Sequence, residues 1–448
     1  MTEFEWPSLH DEAVRHLQNL VRINTINPPG NETEAARYLD SVLRAEGYEP
    51  VILESAPGRG NLVARFKGDG ALPPLLLFSH TDVVPVEAEH WTHPPFGGDL
   101  ADGCVWGRGT LDMKSMVVME LMTLLLLARH RVPLKRDVIF AATADEEAEG
   151  KYGLGWLVRE HPDLVRAEWG FSEFGGYGIP VDGRRVYLCQ TAEKGVCWLK
   201  LRARGKPGHA ALPHGDNAVA HLARAVDRLS RQRMPLHITP TAARYVQGMS
   251  AVMGGARRLA LKALLNRVTH DRALDWLTAR EPDHSRSLVG MFHNTATPTQ
   301  LSAGQAPNVI PSTAEAVLDG RLLPGFDRSS FLAELMPLLG PDVEVQVMEY
   351  GAPLDMPVDT PLFRAMTAGL RRHDPAAIVL PYMLSGATDA KFVARLGIKS
   401  YGFSPLRLEM GEPFGELIHG HDERVPVRAL AFGVQVLYEV VRDFCSTQ

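Results

Sequence analysis

The feature that most constrains this chain is an apolar run that ends in three acids. Residues 138–142 (VIFAA) have the composition of a buried strand, and Asp145, Glu146 and Glu147 follow soon after it. Adjacent carboxylates repel one another and lose hydration at the end of a buried strand. Taken alone, such a run is typical of a solvated loop. The alternative is a cation at this position, because a doubly charged ion reverses the electrostatic balance.

Helices and apolar strands alternate through the first part of the chain. Apolar residues at helical spacing predict helices over residues 11–24, 33–46, 111–130 and 153–160. Short apolar runs predict strands over residues 61–66, 75–78 and 137–142. This alternation predicts an α/β fold with a central, mostly parallel sheet that helices cover on both sides.

The pattern changes after Gly195 and returns to α/β after residue 350. Between these points, strands are predicted over residues 196–203, 297–302, 314–322 and 343–347, and helices over 218–231 and 328–339. Residues 244–278 form an irregular helical stretch rich in Arg, Leu and Ala. The order of the other elements is ferredoxin-like. We therefore predict one domain formed by residues 1–194 and 351–448, interrupted by a smaller α+β domain over residues 195–350.

Neither the charge nor the apolar runs of the chain indicate nucleic acid or a membrane as a partner, and the cysteine content suits a reducing compartment. The 448 residues carry a formal net charge of −6, so a nucleic-acid surface is not expected. Four cysteines without a CxxC pair suit a reducing compartment. The most apolar helical run, residues 116–128, is too short to span a bilayer and contains Glu120. The acidic N-terminal stretch is unlike a signal peptide, so we expect a soluble, cytoplasmic protein.

Further candidate residues follow the other apolar segments. His80 and Asp82 come just after the strand at residues 75–78, and alternate residues of an extended chain face the same way. Asp82 is therefore placed to orient the imidazole of His80, as carboxylates do for metal-ligand histidines. Asp112 opens the long apolar helix. Taken singly, these residues also suit a polar surface turn and a helix N-terminal carboxylate.

The carboxyl ends of strands are where open α/β sheets bind their ligands. Two further candidates are Glu173, in the apolar and then glycine-rich stretch WGFSEFGGYG, and His419, in GELIHGHDERV near the C-terminus. Mixed histidine and carboxylate donors suit zinc, and also manganese or cobalt. Five residues would serve a two-metal site with one bridging carboxylate, namely His80, Asp112, Glu147, Glu173 and His419.

Seven motifs give the chain a resemblance that covers nearly its whole length. They are HTDVVP, GRGTLDMKS, ATADEEAEGKYG, GHAALPHGDNAV, NVIPSTAEAVLDGRLLPG, SGATDAKF and IHGHDER. Their order resembles the zinc-dependent exopeptidase and amidohydrolase family that includes aminoacylase, glutamate carboxypeptidase, acetylornithine deacetylase and succinyl-diaminopimelate desuccinylase. The stretch from HTDVVP to GRGTLD is most similar to the carboxypeptidase S-like branch.

The resemblance implies metal-assisted hydrolysis of an amide or peptide bond, with two divalent metal ions, most often zinc. By the family pattern, His80 and Glu173 bind one ion, and Glu147 and His419 bind the second. Asp112 bridges the two ions.

The resemblance also assigns the residues around these ligands. Glu146 is the general base, Asp82 orients His80, and the family often has a cis peptide bond after the bridging residue, here between Asp112 and Met113.

The inserted domain is a lid and dimerisation domain in the family. The resemblance implies that His209 reaches the active site of the other subunit of a homodimer and helps to stabilise the oxyanion. Asn308 and Arg321 match positions that hold a substrate carboxylate, and an Arg fork suits that task. Gly386 matches a loop that lines the carboxylate pocket. The substrate is expected to be a small peptide or an N-acyl-amino acid.

Some positions depart from the family pattern. His421 follows His419 as a rival ligand, Met113 replaces an Asp common in the carboxypeptidase S-like branch, and the helical stretch 244–278 is long.

Two other classes of protein fit the sequence less well. A non-catalytic binding protein on the same scaffold would lack the base or a ligand, and all six are present. A nucleotide-binding oxidoreductase would need a third glycine after Gly153-Leu154-Gly155, and none stands at the required place.

Overall fold

The structure is a computed structural model that describes residues 5–148, 150–409 and 414–447, apart from the side chains of residues 282–286 and 447. Residues 1–4, 149, 410–413 and 448, which the prediction includes in the first domain, lie outside the described residues. The chain divides into two compact units, the first made of residues 1–191, 356–381 and 388–448. The second unit comprises residues 192–355 and also the short segment 382–387, which the sequence pattern places with the first domain.

The helices of the described residues are α1 Trp6–Arg22, α2 Glu32–Ala45, α3 Lys114–Arg129, α4 Leu154–Glu160, α5 Pro162–Val165, α6 Ala218–Arg231, α7 Pro240–Val252, α8 Gly255–Leu264, α9 His270–Thr278, α10 Pro282–Phe292, α11 Arg328–Leu339, α12 Pro361–His373, α13 Ala390–Val393, α14 Phe414–Leu417 and α15 Val427–Thr447. The strands are β1 Val51–Glu54, β2 Gly60–Phe66, β3 Leu72–His80, β4 Asp99–Ala101, β5 Cys104–Trp106, β6 Arg136–Thr143, β7 Trp169–Ser172, β8 Tyr177–Val181, β9 Arg184–Glu193, β10 Gly195–Arg204, β11 Gly208–His209, β12 Thr295–Ala303, β13 Val309–Ile310, β14 Thr313–Leu322, β15 Val343–Gly351, β16 Leu354–Asp355, β17 Ile378–Leu384, β18 Lys399–Gly402 and β19 Arg424–Pro426.

The first unit is built on a mixed sheet with the strand order β1-β2-β6-β3-β7-β18-β9. The central strands β6, β3, β7 and β18 run parallel to one another. Strands β1 and β2 on one side and β9 on the other pair antiparallel with their neighbours. The prediction of a mostly parallel sheet therefore holds for the centre and not for the edges. The edges contain the hairpins β1–β2 and β8–β9, and strands joined by a tight turn can only run antiparallel.

Helix α3 forms the centre of the first unit's core. All its residues from Lys114 to Leu127 are buried, as expected for a helix that is apolar on every side, and it packs against α1 and α15. Two of its polar residues have side-chain hydrogen bonds to other elements, although Glu120 Oε1 has no partner among the described residues. Lys114 Nζ donates to the backbone oxygens of Leu20 and Ile23 at 3.0 and 2.9 Å, and burial lowers its pKa to about 7. Glu120 Oε2 accepts the Ser79 hydroxyl at 2.5 Å, and burial raises the pKa of Glu120 well above its ordinary value.

The second unit contains a four-stranded antiparallel sheet with the order β12-β14-β10-β15. Helices α6 and α11 pack on this sheet, and their apolar residues share one core with it. In chain order the strands are β10, β12, β14 and β15, so the spatial order is that of a ferredoxin-like fold. The segment between α6 and β12 holds the helices α7, α8, α9 and α10, where the sequence predicts an irregular helical stretch.

Within the residues that the structure describes, no helix is both long enough and apolar enough to cross a membrane. None of the four cysteines forms a disulfide, and three of them are buried.

Candidate metal centre

Neighbouring strand ends of the first unit carry the predicted donors. β3 ends at His80, and Glu173 directly follows the end of β7. β6 ends at Thr143, and a single 3₁₀ turn, Glu146–Ala148, comes just after it. Because β3 pairs in parallel with both β6 and β7, the carboxyl ends of the three strands lie side by side.

All five predicted ligands meet at this edge, with Asp112 between the two histidines. His80 Nε2 lies 3.1 Å from Asp112 Oδ1 and 3.5 Å from Glu173 Oε2. His419 Nε2 lies 3.2 Å from Asp112 Oδ2 and 3.2 Å from Glu147 Oε2. Each oxygen of Asp112 thus faces a different histidine, which is the arrangement that a bridging carboxylate requires.

The crowded charges shift the pKa of each group in a definite direction. Burial raises the pKa of Glu173 to about 8. Burial and the charge of Glu173 raise the pKa of Glu146 well above its ordinary value. Hydrogen bonds to Asp112 and Glu147 raise the pKa of His419 to about 10. Burial alone would raise the pKa of Asp112, but the hydrogen bonds from the two histidines lower it below its usual range.

This donor set fits two divalent cations. One ligand atom each from His80, Asp112 and Glu147 lie within 4.8 Å of one another, and so do those of His80, Glu146 and Glu173. The second group includes Glu146 beside the predicted pair of ligands. Among the described residues Glu173 Oε2 is buried without a hydrogen-bond partner, which leaves a lone pair free for a cation. Oxygen and imidazole donors at this spacing are those of zinc, manganese and cobalt sites.

Besides its contact with His80, Asp82 accepts two backbone hydrogen bonds that the sequence pattern does not reveal. His80 Nδ1 lies 3.1 Å from the backbone oxygen of Asp82 and 3.4 Å from its Oδ1, so this residue orients the imidazole. The two carboxylate oxygens of Asp82 also accept the backbone N–H groups of Glu146 and Glu147, each at 3.1 Å. Asp82 therefore fixes both the histidine and the acidic turn.

Asp145, the first acid of the triplet, lies in a buried network with residues that sequence reasoning missed. Its Oδ1 accepts Arg59 Nη2 at 3.0 Å and Asn27 Nδ2 at 3.1 Å. Arg59 also forms a bidentate pair with buried Glu32, at 2.9 and 2.7 Å. Asn27 donates in turn to Asp82 at 2.9 Å. The network links the acidic turn to the turn before α2, and no local sequence pattern marks such a long-range pairing.

Glu423 is another residue to which the sequence assigned no role. Its side chain is fully buried and accepts Arg108 Nη1 at 2.7 Å. It also accepts the backbone N–H groups of Gly109, Leu111 and Asp112 at 3.0, 2.7 and 3.1 Å. Glu423 thus holds the loop that presents Asp112. Its position in the C-terminal motif, four residues after His419, was the available signal.

The peptide bond after Asp112 and the two histidines of the C-terminal motif bear on details that the resemblance implies. The peptide bond between Asp112 and Met113 is cis, as the resemblance implies. His421, the rival ligand, directs Nε2 to Glu87 at 3.1 Å and packs against His90. It contacts none of the five predicted ligands, whereas His419 contacts two of them.

The remaining predicted residues lie in the second unit. His209 and Asn308 are neighbours in a short ribbon, where β11 pairs with β13 and Ala210 N donates to the backbone oxygen of Asn308 at 3.0 Å. Arg321 lies on β14 and forms a bidentate pair with Asp319 at 2.7 and 3.1 Å. A Cβ at Gly386 would meet only Leu384, at an ordinary 3.8 Å, so the backbone there has no steric need for glycine.

Comparisons with known proteins identify the family of the chain. The model of peptidase family M20/M25/M40 matches residues 76–443. Human aminoacylase-1 is 26% identical over 448 residues, which cover 98% of this chain and 97% of the relative. The M20 family metallo-carboxypeptidase of Sulfolobus solfataricus aligns with a TM-score of 0.71 and 18% identity, covering 97% of this chain and 99% of that one. A Bacillus subtilis protein described as a dinuclear metal-binding M20 peptidase aligns with a TM-score of 0.61 and 14% identity, covering 98% and 99%.

The family match spans most of the chain and includes the strands and loops that carry the five donors. The chain therefore belongs to peptidase family M20/M25/M40, and it is a metal-dependent hydrolase of amide or peptide bonds.

Proposed function

We propose that this protein hydrolyses N-acyl-amino acids or short peptides that carry a free α-carboxylate, with Glu146 as the general base. The observation that carries the proposal is that the Glu146 side chain lies beside two proposed metal ligands without a fixed partner of its own. A ligand atom of Glu146 lies within 4.8 Å of those of His80 and Glu173, yet the Glu146 side chain has no hydrogen bond or salt bridge in the described part of the chain. A carboxylate with a raised pKa and no fixed partner is suited to accept and return a proton.

The metal assignment is part of the proposal. His80 and Glu173 would hold one ion, Glu147 and His419 the other, and Asp112 both. Zinc fits the mixed donors best, and cobalt or manganese fit as substitutes. When bound, the two ions polarise the scissile carbonyl and lower the pKa of water.

Glu146 performs the proton transfers in this mechanism. It takes a proton from the attacking water and returns it to the leaving amine. Its backbone is held by the bond from its N–H to Asp82 Oδ1 at 3.1 Å, so its position does not depend on its being a ligand. Anchoring by the backbone leaves the side chain free to change its protonation state.

His209 is proposed as the donor that stabilises the oxyanion. Ala211 N–H donates to His209 Nδ1 at 3.1 Å, so in the neutral ring Nδ1 is the acceptor and Nε2 carries the hydrogen. This tautomer presents an N–H donor, and the side chain is exposed. We further propose that it acts in the other subunit of a homodimer, through the second unit as a lid and dimerisation domain. The exposed apolar side chains of Leu212 and Val309 beside it suit such a surface.

The free carboxylate of the substrate is assigned to Asn308, Arg321 and the loop at Gly386. Arg321 uses Nε and Nη2 for Asp319, and its Nη1 remains for a carboxylate. An N-acyl-amino acid is the first substrate to test, because human aminoacylase-1 is similar over nearly its whole length. A cytoplasmic location is proposed from the four unpaired cysteines.

The central experiment compares Glu146→Gln with the wild type on acyl-amino acids and dipeptides, with zinc, cobalt or manganese added. We expect a loss of kcat of at least about 100-fold with both metal ions still bound, as general-base removal typically costs about 10²–10⁴-fold. Near-full turnover of this variant with two ions bound would exclude Glu146 as the base. Inactivity of the wild type on the whole panel would favour a non-catalytic binding protein on this scaffold.

The intersubunit role of His209 has a separate test. Neither His209→Ala nor Glu146→Gln is expected to be active alone. If His209 acts across the dimer, mixing the two variants creates mixed dimers with one complete site, and activity returns. Mixed dimers without activity would show that His209 does not act in the partner's site.

A further inference from the structure

Two buried histidines of the second unit, His270 and His293, direct their Nε2 atoms toward each other. His270 Nε2 lies 3.3 Å from His293 Nε2, and the exposed fractions of the two residues are 0% and 2%. His270 is the first residue of α9, and His293 follows the last residue of α10. Neither residue belongs to the metal centre of the first unit.

Backbone carbonyls determine the tautomer of both rings. His270 Nδ1 lies 2.7 Å from the oxygen of Leu264, and His293 Nδ1 lies 2.7 Å from the oxygen of Met234. A carbonyl oxygen can only accept, so each Nδ1 carries a hydrogen. Each neutral ring then has a lone pair on Nε2. Two lone pairs at 3.3 Å have no hydrogen between them, so the arrangement calls for a cation, either a shared proton or a metal ion.

The distance between the nitrogens is that of two ligands on one tetrahedral metal ion. Zn–N bonds of about 2.0–2.1 Å at a tetrahedral angle place two ligand nitrogens about 3.3–3.4 Å apart. Nδ1–H bonds to backbone carbonyls are the usual outer contacts of metal-ligand histidines.

A carboxylate supplies a third donor. One ligand atom from each of His270, Asp271 and His293 lies within 4.8 Å of the other two. Asp271 is exposed, so its side chain can turn toward the histidines. Its nearest competing cation is Arg233, whose Nη1 is 4.0 Å away and whose Nη2 pairs with Asp275 at 2.6 Å.

We propose that His270, Asp271 and His293 form a third metal site that binds a single zinc-like divalent ion. Three protein ligands leave the fourth tetrahedral position for water on the exposed side. The ion would join the start of α9 to the residue after α10. The backbone oxygen of His293 accepts Lys194 Nζ at 2.7 Å, so the site also connects these helices to the base of β10. Its role is to brace the helical segment α7–α10.

The test counts metal ions per chain in the full-length protein. His270→Asn and His293→Asn keep a side-chain N–H near the Nδ1 position and remove the Nε2 ligand, so they separate ligation from packing. His237→Asn is the matched control, because His237 pairs with Glu334 at 2.7 Å outside the cluster. After zinc loading and gel filtration, we expect three ions per chain in the wild type and the control, and two in the ligand variants. Equal zinc counts in all four proteins would overturn the proposal.

A second measurement does not depend on the folding of these variants. Anomalous scattering at the zinc edge from wild-type crystals should give a peak between the two Nε2 atoms of His270 and His293. Zinc peaks in the first unit with none between these histidines would also overturn the proposal. The exposed Asp271→Asn substitution should weaken zinc binding at this site and leave hydrolytic activity unchanged, which distinguishes the site from the catalytic centre.

Discussion

Glu423→Gln is the substitution that most directly tests how Asp112, the proposed bridging residue, is held. Each oxygen of Glu423 accepts two hydrogen bonds, one pair from Arg108 Nη1 and Gly109 N, the other from Leu111 N and Asp112 N. Glutamine keeps the size of the side chain but replaces one of these oxygens with an NH₂ group. Whichever way the amide is oriented, its NH₂ group then faces two N–H donors and cannot accept their hydrogen bonds.

The magnitude follows from the contacts that are lost. A hydrogen bond to a charged group contributes about 1.5–3 kcal/mol, so two lost bonds cost about 3–6 kcal/mol. Removing one partner of a buried ion pair costs about 3–5 kcal/mol, which agrees, and Arg108 is only 2% exposed. Burial raises the pKa of Glu423, so desolvation already offsets part of the gain. We therefore expect the lower end, a loss of about 3 kcal/mol of unfolding free energy.

The assay is urea unfolding of the metal-free protein, followed by tryptophan fluorescence, together with zinc affinity from chelator competition. Trp91 reports locally, because the Arg108 guanidinium lies 5.2 Å from its ring. Asp422→Asn is the matched control, since it makes the same chemical change one residue away at an exposed pair with Thr92. We expect the control to change stability by less than about 1 kcal/mol. An unfolding free energy for Glu423→Gln within about 0.5 kcal/mol of the wild type, with unchanged zinc affinity, would refute the reasoning.

Three further predictions concern single side chains. His419→Ala should lower the zinc count by at least one ion per chain and His421→Ala should not, because only His419 contacts Asp112 and Glu147; the opposite result would reassign the ligand. Burial raises the folded-state pKa of Glu120, so stability from this group is present below the unfolded pKa and falls as pH rises, by about 1.4 kcal/mol per pH unit. Glu120→Gln should remove this slope in denaturant titrations between pH 5 and 8, and an unchanged slope would contradict the assignment. Gly386→Ala should leave the melting temperature unchanged, since a Cβ there meets only Leu384 at 3.8 Å. The added methyl group should raise KM because the loop is proposed to line the substrate site, and an unchanged KM would remove the loop from that site.

Much of the first unit could be predicted from periodicity and composition. The run at 137–142 became β6, and the long apolar stretch became α3, because strong apolar runs report burial directly. The hairpin β8–β9 and the small sheet β4-β5-β19 were not predicted. Strands of three residues are too short for a period to be visible, and β19, one of the two partners of β5, is more than three hundred residues away along the chain.

Four of the five proposed ligands were identifiable because a donor side chain stands at or just after the end of a strand or just before a helix, whereas His419 came from the C-terminal motif. The supporting residues were not, since Arg59, Asn27 and Glu423 act through long-range hydrogen bonds. An isolated arginine or glutamate has the same local sequence whether it is exposed or fully buried. The pair of His270 and His293 was missed for the same reason, because only the fold brings these residues together.

The three acids after β6 differ in what neutralises them, and this difference supports the separate roles proposed for them. Asp145 pairs with Arg59 at 3.0 Å, so its charge is balanced inside the protein. Glu147 lies 3.2 Å from His419, a contact that a metal ion would replace with ligation by both residues. Glu146 has neither kind of partner in the described residues, although Asp82 fixes its backbone. A partly buried carboxylate among other acids takes up a proton or stands beside a cation, and the proposed general base would alternate between these two states.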